Sequence, residues 1–251
     1  DLHSFPTRRS SDLDLKQMMD DITIDVYEGD ELVRTDTFCV ADYCYTVIEN
    51  ENGEVFTKMN SADPTMTAEK FAKLQELCKA MLNYGAKAQA QFGYNTDHLA
   101  NEGIEYSYTP ATADTFQDYN DASYIPDNGD LKYYGASMLL ESETVYSLWF
   151  RYEDAGLSLP EATATIDGKP IDVQLKMIEG NYDAYYVRYN VMNIPAELLT
   201  KDIVVNFGGE IKTYNMQTYF RLAMLTGNET LMNTVSSLYD YSQKAVAFFN
   251  D

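Results

Sequence analysis

The chain has 251 residues, and its 40 acidic against 18 basic side chains give a formal net charge of −22. Nucleic acid and anionic membrane surfaces are poor partners for such a chain, since both need a basic face. No run of about 20 apolar residues is present to span a bilayer, and the length suits one large domain or two small ones.

Residues 3–13, HSFPTRRSSDL, resemble residue for residue the translation of a sequencing-library adapter. Residues 1–13 are therefore expected to be artefactual and are excluded from fold reasoning. Residues 14–20 read as a short helical turn. Residues 21–27 alternate Ile22, Ile24 and Val26 with Thr23 and Asp25, the pattern of a half-buried strand. A turn at 28–30 and a return strand at 31–35 complete a hairpin. A helix is expected over 38–48 and a polar loop over 49–67. The stretch 74–92, LQELCKAMLNYGAKAQAQF, then places Leu74, Cys78, Met81, Gly85, Ala88 and Phe92 on one helix face. Gly85 in mid-helix costs up to about 1 kcal/mol against Ala, so close packing is expected there. Gly93 is placed to cap the end.

Residues 103–130, with Pro110, Pro126 and many Thr and Asp, read as a linker. Strands are expected at 132–140, 144–153, 162–166, 172–178 and 184–191, with turns at 167–170 and 179–181. A helical turn follows at 195–200. Next comes a second hairpin, 202–207 and 210–213, turned by Gly208-Gly209. A helix at 216–225, a short loop and a final helix at 231–249 end the chain.

That final helix repeats the earlier one. Shifted by 157 positions, Leu231, Leu238, Tyr241, Ser242, Ala245 and Phe249 stand where Leu74, Met81, Tyr84, Gly85, Ala88 and Phe92 stand in the first copy. These twelve residues are expected to form a structural repeat core, each stripe closed by its phenylalanine. Hairpin, helix, loop and helix recur in order, so one unit is used twice. The expected fold class is α+β: an Ig-like antiparallel β-sandwich followed by a two-helix hairpin, preceded by a truncated copy consisting of a β-hairpin plus two helices. The division is a first module at 14–102, the linker at 103–130 and a complete module at 131–251.

Residues 81–100, MLNYGAKAQAQFGYNTDHLA, together with 134–140, 185–194 and 233–249, resemble a module of large secreted or surface proteins of Gram-positive gut anaerobes. In those proteins such units stand beside leucine-rich repeats, glycan-active domains or anchoring segments. The resemblance implies an extracellular or cell-surface setting, with neighbouring domains of the same polypeptide as partners, and it carries no catalytic residues.

The chemistry of the sequence agrees with that silence. Once His3 is set aside, His98 is the one histidine, in a polar stretch that the second copy does not repeat. Nucleophilic triads need such a base in a built site. Cys39, Cys44 and Cys78 lack metal-ligand spacing and read as buried thiols. The five aspartates of 114–130 do not match a calcium loop. No cofactor, metal or enzymatic activity is expected. The reading is a non-catalytic structural and interaction module; the alternative is a carbohydrate-binding module. For the latter, Tyr182, Tyr185 and Tyr189 are the candidate stacking residues among 21 tyrosines. Trp149, in VYSLWF, is assigned to the core.

Overall fold

The structure is a computed structural model that describes residues 15–50, 53–117, 127–128, 131–140, 144–154, 156–178 and 184–250. The adapter-like segment, Tyr182 and most of the acidic stretch 114–130 lie outside the described residues. The elements are β1 (Ile22–Glu28), β2 (Glu31–Phe38), α1 (Val40–Ile48), α2 (Glu54–Ala62), α3 (Ala68–Phe92), β3 (Asp127–Asn128), β4 (Leu131–Leu140), β5 (Thr144–Tyr152) and β6 (Ala162–Ile166). They continue with β7 (Lys169–Ile171), β8 (Val173–Ile178), β9 (Tyr185–Val191), β10 (Ile203–Phe207), β11 (Glu210–Tyr214), α4 (Gln217–Leu225) and α5 (Glu229–Phe249). The fold is α+β, and all three sheets are antiparallel. Two compact units are present. The described residues of Ala111–Val235 form one; those of Leu13–Pro110 and Ser236–Asp251 form the other.

In the first of these units the sheets have the orders β3-β4-β5-β9-β8 and β11-β10-β6-β7. Alternation along the strands selects their inner faces: Tyr146, Leu148 and Phe150 from β5, Val187, Tyr189 and Val191 from β9, and Ile203, Val205 and Phe207 from β10 are all buried. The sheets meet through rings. Phe207 lies edge-on to Phe150 at 5.4 Å and to Tyr189 at 5.1 Å, and Tyr214 lies 5.9 Å from Tyr133. Such edge-to-face contacts add about 0.5–1.5 kcal/mol each beyond the area they bury. The turn expected at 167–170 closes earlier, at Asp167-Gly168, and Pro170 lies in β7. There it opposes Thr165 on the outermost strand of its sheet, where a missing N–H costs no ladder bond.

In the other unit, the expected polar loop at 49–67 contains α2, an additional helix. Its side chains bond back to its own backbone, Thr57 Oγ1 to the Gly53 carbonyl at 2.7 Å and Ser61 Oγ to that of Thr57 at 2.7 Å. Phe56 anchors it on Phe71 of α3, with ring centroids 5.5 Å apart. Helix α3 starts at Thr67, whose hydroxyl accepts from the Lys70 amide at 3.1 Å, and stops at Gly93 with φ +63°. Its middle is buried around most of its circumference, Leu82 through Ala86 without a break. Helix α1 covers one side: Cys44 Sγ approaches Met81 Sδ at 3.6 Å, and Gln75 Nε2 donates to the Val47 carbonyl at 3.0 Å. The 3-10 turn Leu15–Gln17 brings Met18 so close to Gly85 that an added Cβ would lie 1.9 Å from its sulfur. That contact is the close approach that admits a glycine in mid-helix.

The remaining side meets the second half of α5. Tyr84 stacks on Tyr241 at 6.0 Å, Glu76 reaches Lys244 at 3.9 Å, and the Lys70 ammonium lies 5.6 Å from the Phe248 ring. The two helices therefore run antiparallel, and the two tyrosines in mutual contact are equivalent positions of the repeat. Of the repeat core, Leu74, Tyr84, Gly85, Ala88, Leu238, Ser242 and Ala245 are buried, and Met81, Leu231 and Tyr241 are half-buried. The two closing phenylalanines are not core residues: Phe92 is 53 % and Phe249 59 % exposed. Each is the last residue of its helix, beyond the partner's reach; Phe92 instead carries the Lys16 ammonium 5.2 Å over its ring.

Candidate functional site

The equivalence between copies extends into the first hairpin. Ile22 faces Phe38 and Ile24 faces Asp36 in β1/β2; Ile203 faces Tyr214 and Val205 faces Lys212 in β10/β11. Ile24 thus corresponds to Val205, Val26 to Phe207 and Phe38 to Tyr214. The second-copy residues are buried, whereas Ile24 is 49 % and Phe38 52 % exposed. Strand β10 is paired on both edges, by β11 and β6; β1 pairs with β2 in a two-stranded sheet.

Of the three tyrosines expected to stack on a glycan, Tyr185 and Tyr189 are described, and they do not form a platform together. Tyr182 lies outside the described residues. Tyr189 is buried between the sheets, and its hydroxyl donates to the Pro160 carbonyl at 2.9 Å. Burial pushes its phenol up to about 12, so it remains a neutral donor. Tyr185 is 48 % exposed but leans on Tyr152, with centroids 5.4 Å apart. Alternation along β9 correctly puts Tyr185 and Tyr189 in one phase, and that phase is the inner one.

The opposite phase carries the aromatic and cationic residues. Across the outer face of the five-stranded sheet, β4, β5, β9 and β8 align Lys132, Arg151, Tyr186 and Ile178 in one row. The next rows are Gly135, Trp149, Arg188, Lys176 and then Ser137, Ser147, Asn190, Gln174. Trp149 is therefore outward and half-buried, not core. Its indole N–H donates to Ser137 Oγ at 2.8 Å, and the Arg188 guanidinium lies 5.3 Å over its ring. An irregularity in β4 between Tyr133 and Gly135 re-aims the residue between them. Tyr134 is 67 % exposed and meets Tyr186 edge-on at 5.3 Å. The signal was present in the sequence: Trp149 shares the phase of Ser147 and Arg151, opposite to Leu148 and Phe150.

Other chemistry-bearing residues are occupied structurally. His98 is exposed, and its carbonyl accepts from buried Gln89, whose amide also holds the Ala100 N–H at 2.8 Å. Cys39, Cys44 and Cys78 are buried free thiols. Burial raises the Asp240 carboxyl above its usual range, while a hydrogen bond from Tyr106 opposes the shift. Among the described residues no three His, Cys, Asp or Glu side chains gather as a metal site, and no helix is long and apolar enough to cross a membrane. No protein-family model, curated protein or solved structure matches the chain.

Proposed function

We propose that the chain is a non-catalytic structural and interaction module of a large extracellular or cell-surface bacterial protein. Its complete unit is an Ig-like β-sandwich joined to a helix pair. The sheet orders support the fold: β4-β5-β9-β8 and β11-β10-β6 correspond to A-B-E-D and G-F-C, with β3 and β7 as added edge strands.

The observation that carries the function is the contrast between equivalent hairpins. Side chains that are core in β10/β11 are surface in β1/β2, and an edge that β6 occupies in one copy has no pairing strand among the described residues of the other. An isolated two-stranded hairpin is marginal in water, and an apolar one invites pairing. The second copy supplies the template for the occupant: a sheet segment like β4 to β9, contributed by a neighbouring unit of the same polypeptide.

A graft tests this. A second copy of residues 127–194 replaces residues 1–13, so that it enters the first 3-10 turn as the native segment enters the second. A companion graft carries Val26→Phe and Phe38→Tyr to match the rings of the second copy. Ile24→Asp is expected to leave the melting temperature of the ungrafted chain within about 2 °C and to lower that of at least one graft by several degrees, the usual response to about 1 kcal/mol or more. Grafts with folded added strands and no sensitivity at Ile24 would contradict the proposal.

A further inference from the structure

We propose that the outer face of the five-stranded sheet binds a carboxylate-bearing polysaccharide, with Tyr134, Trp149 and Tyr186 as the sugar-contacting rings and Arg151 and Arg188 as the carboxylate-binding groups. The inference is independent of the hairpin and of the scaffold reading. It starts from charge. The three outer rows hold Lys132, Arg151, Arg188 and Lys176 against one acid, Asp127 of β3 opposite Lys132, in a chain with 40 acids and 18 bases. Arg151 also lies 3.8 Å from Glu153. A local cationic face on an anionic protein selects an anionic partner and rejects most others.

The arginines are prepared for a planar anion. The Nε atoms of Arg151 and Arg188 are shielded from water, while the Arg151 side chain as a whole is 43 % exposed. The two terminal nitrogens of a guanidinium present a fork of N–H groups that fits a carboxylate with two bonds. Trp149 stands between Arg188 on one flank and Gly135 on the other, where an added Cβ would meet nothing within 4 Å. The indole therefore has open space beside it, and Tyr134 and Tyr186 stand about one strand repeat away, roughly 7 Å. Rings with apolar faces beside hydrogen-bonding cations suit a sugar, whose C–H faces stack while its oxygens and carboxylates take the donors. A nucleic acid strand shares the ring and charge chemistry. Its denser charge is more strongly repelled by the −22 of the whole chain.

The test is affinity gel electrophoresis of the full chain in gels containing polygalacturonate or neutral galactan, with polythymidylate as a competitor in solution. Polygalacturonate is expected to retard the protein, galactan is not, and retardation weakens as salt is raised. Arg188→Gln combined with Arg151→Gln is expected to weaken binding about tenfold or more, and Tyr134→Ala by several-fold, the scale of lost charge-assisted hydrogen bonds and one stacking contact. Tyr134 is exposed, so its replacement leaves folding intact even if the double arginine variant does not fold. Tyr185→Ala leaves binding unchanged. Absence of retardation by polygalacturonate, equal retardation by galactan, or binding indifferent to Tyr134→Ala overturns the proposal. Displacement by polythymidylate at lower concentration than by free polygalacturonate overturns the assignment to a sugar.

Discussion

Phe207→Ala is expected to destabilise the unit formed by Ala111–Val235 by about 3–5 kcal/mol, the range for removing a buried ring from a core. Phe207 is the ring that both sheets share. It sits on β10 and meets Phe150 at 5.4 Å, Tyr189 at 5.1 Å and Tyr214 at 6.5 Å. Truncation removes three aromatic contacts and leaves a cavity bounded by strands from both sheets, which rigid ladders cannot close. Chemical denaturation of the variant and parent gives the difference. The equivalent change in the first copy, Val26→Ala, is expected to cost less than about 1 kcal/mol, since it removes two methyl groups from a half-exposed site.

Leu82→Ala is expected to cost about 2–5 kcal/mol, and Phe92→Ala less than about 1 kcal/mol, although Phe92 belongs to the apolar stripe of α3 and Leu82 does not. Leu82 is fully buried in the stretch where α3 is enclosed on most sides; Phe92 is 53 % exposed at the helix end. A helix read for one apolar face is assumed to have one partner. Here α1, the turn bearing Met18 and the second half of α5 all press on it. Thermal or urea unfolding of the two variants ranks them. An equal or inverted ranking would restore the single-stripe picture.

The same physical distinction explains what could be read from the chain and what could not. Strands β6, β9 and β10 were legible because β-branched and aromatic residues alternate along them, and one face of each is buried. The repeat was legible because equivalent residues, Tyr84 with Tyr241 and Lys87 with Lys244, recur at a fixed offset. Helix α2 was not, because Thr57, Asn60 and Ser61 read as loop residues while in the structure their side chains bond to backbone carbonyls. Period and phase are local properties; which phase becomes core is decided by the element opposite. That is why Tyr189 and Trp149 exchange the places expected of them. Tyr189 lies in the phase that meets Phe207, and Trp149 lies in the phase that meets only Ser137 and Arg188.

The first hairpin, uncovered by the described residues, is the centre of the account, and amide hydrogen exchange of the unmodified chain tests it most directly. Strand β10 is bonded on both edges, by β11 and β6, so its amides are expected to be protected throughout. Strand β1 is expected to show protection only at alternate amides, those donated to β2, with the others exchanging at close to unprotected rates. Equal protection on both edges of β1 would mean that the first hairpin is already covered, and would contradict its role as a surface awaiting a neighbouring sheet.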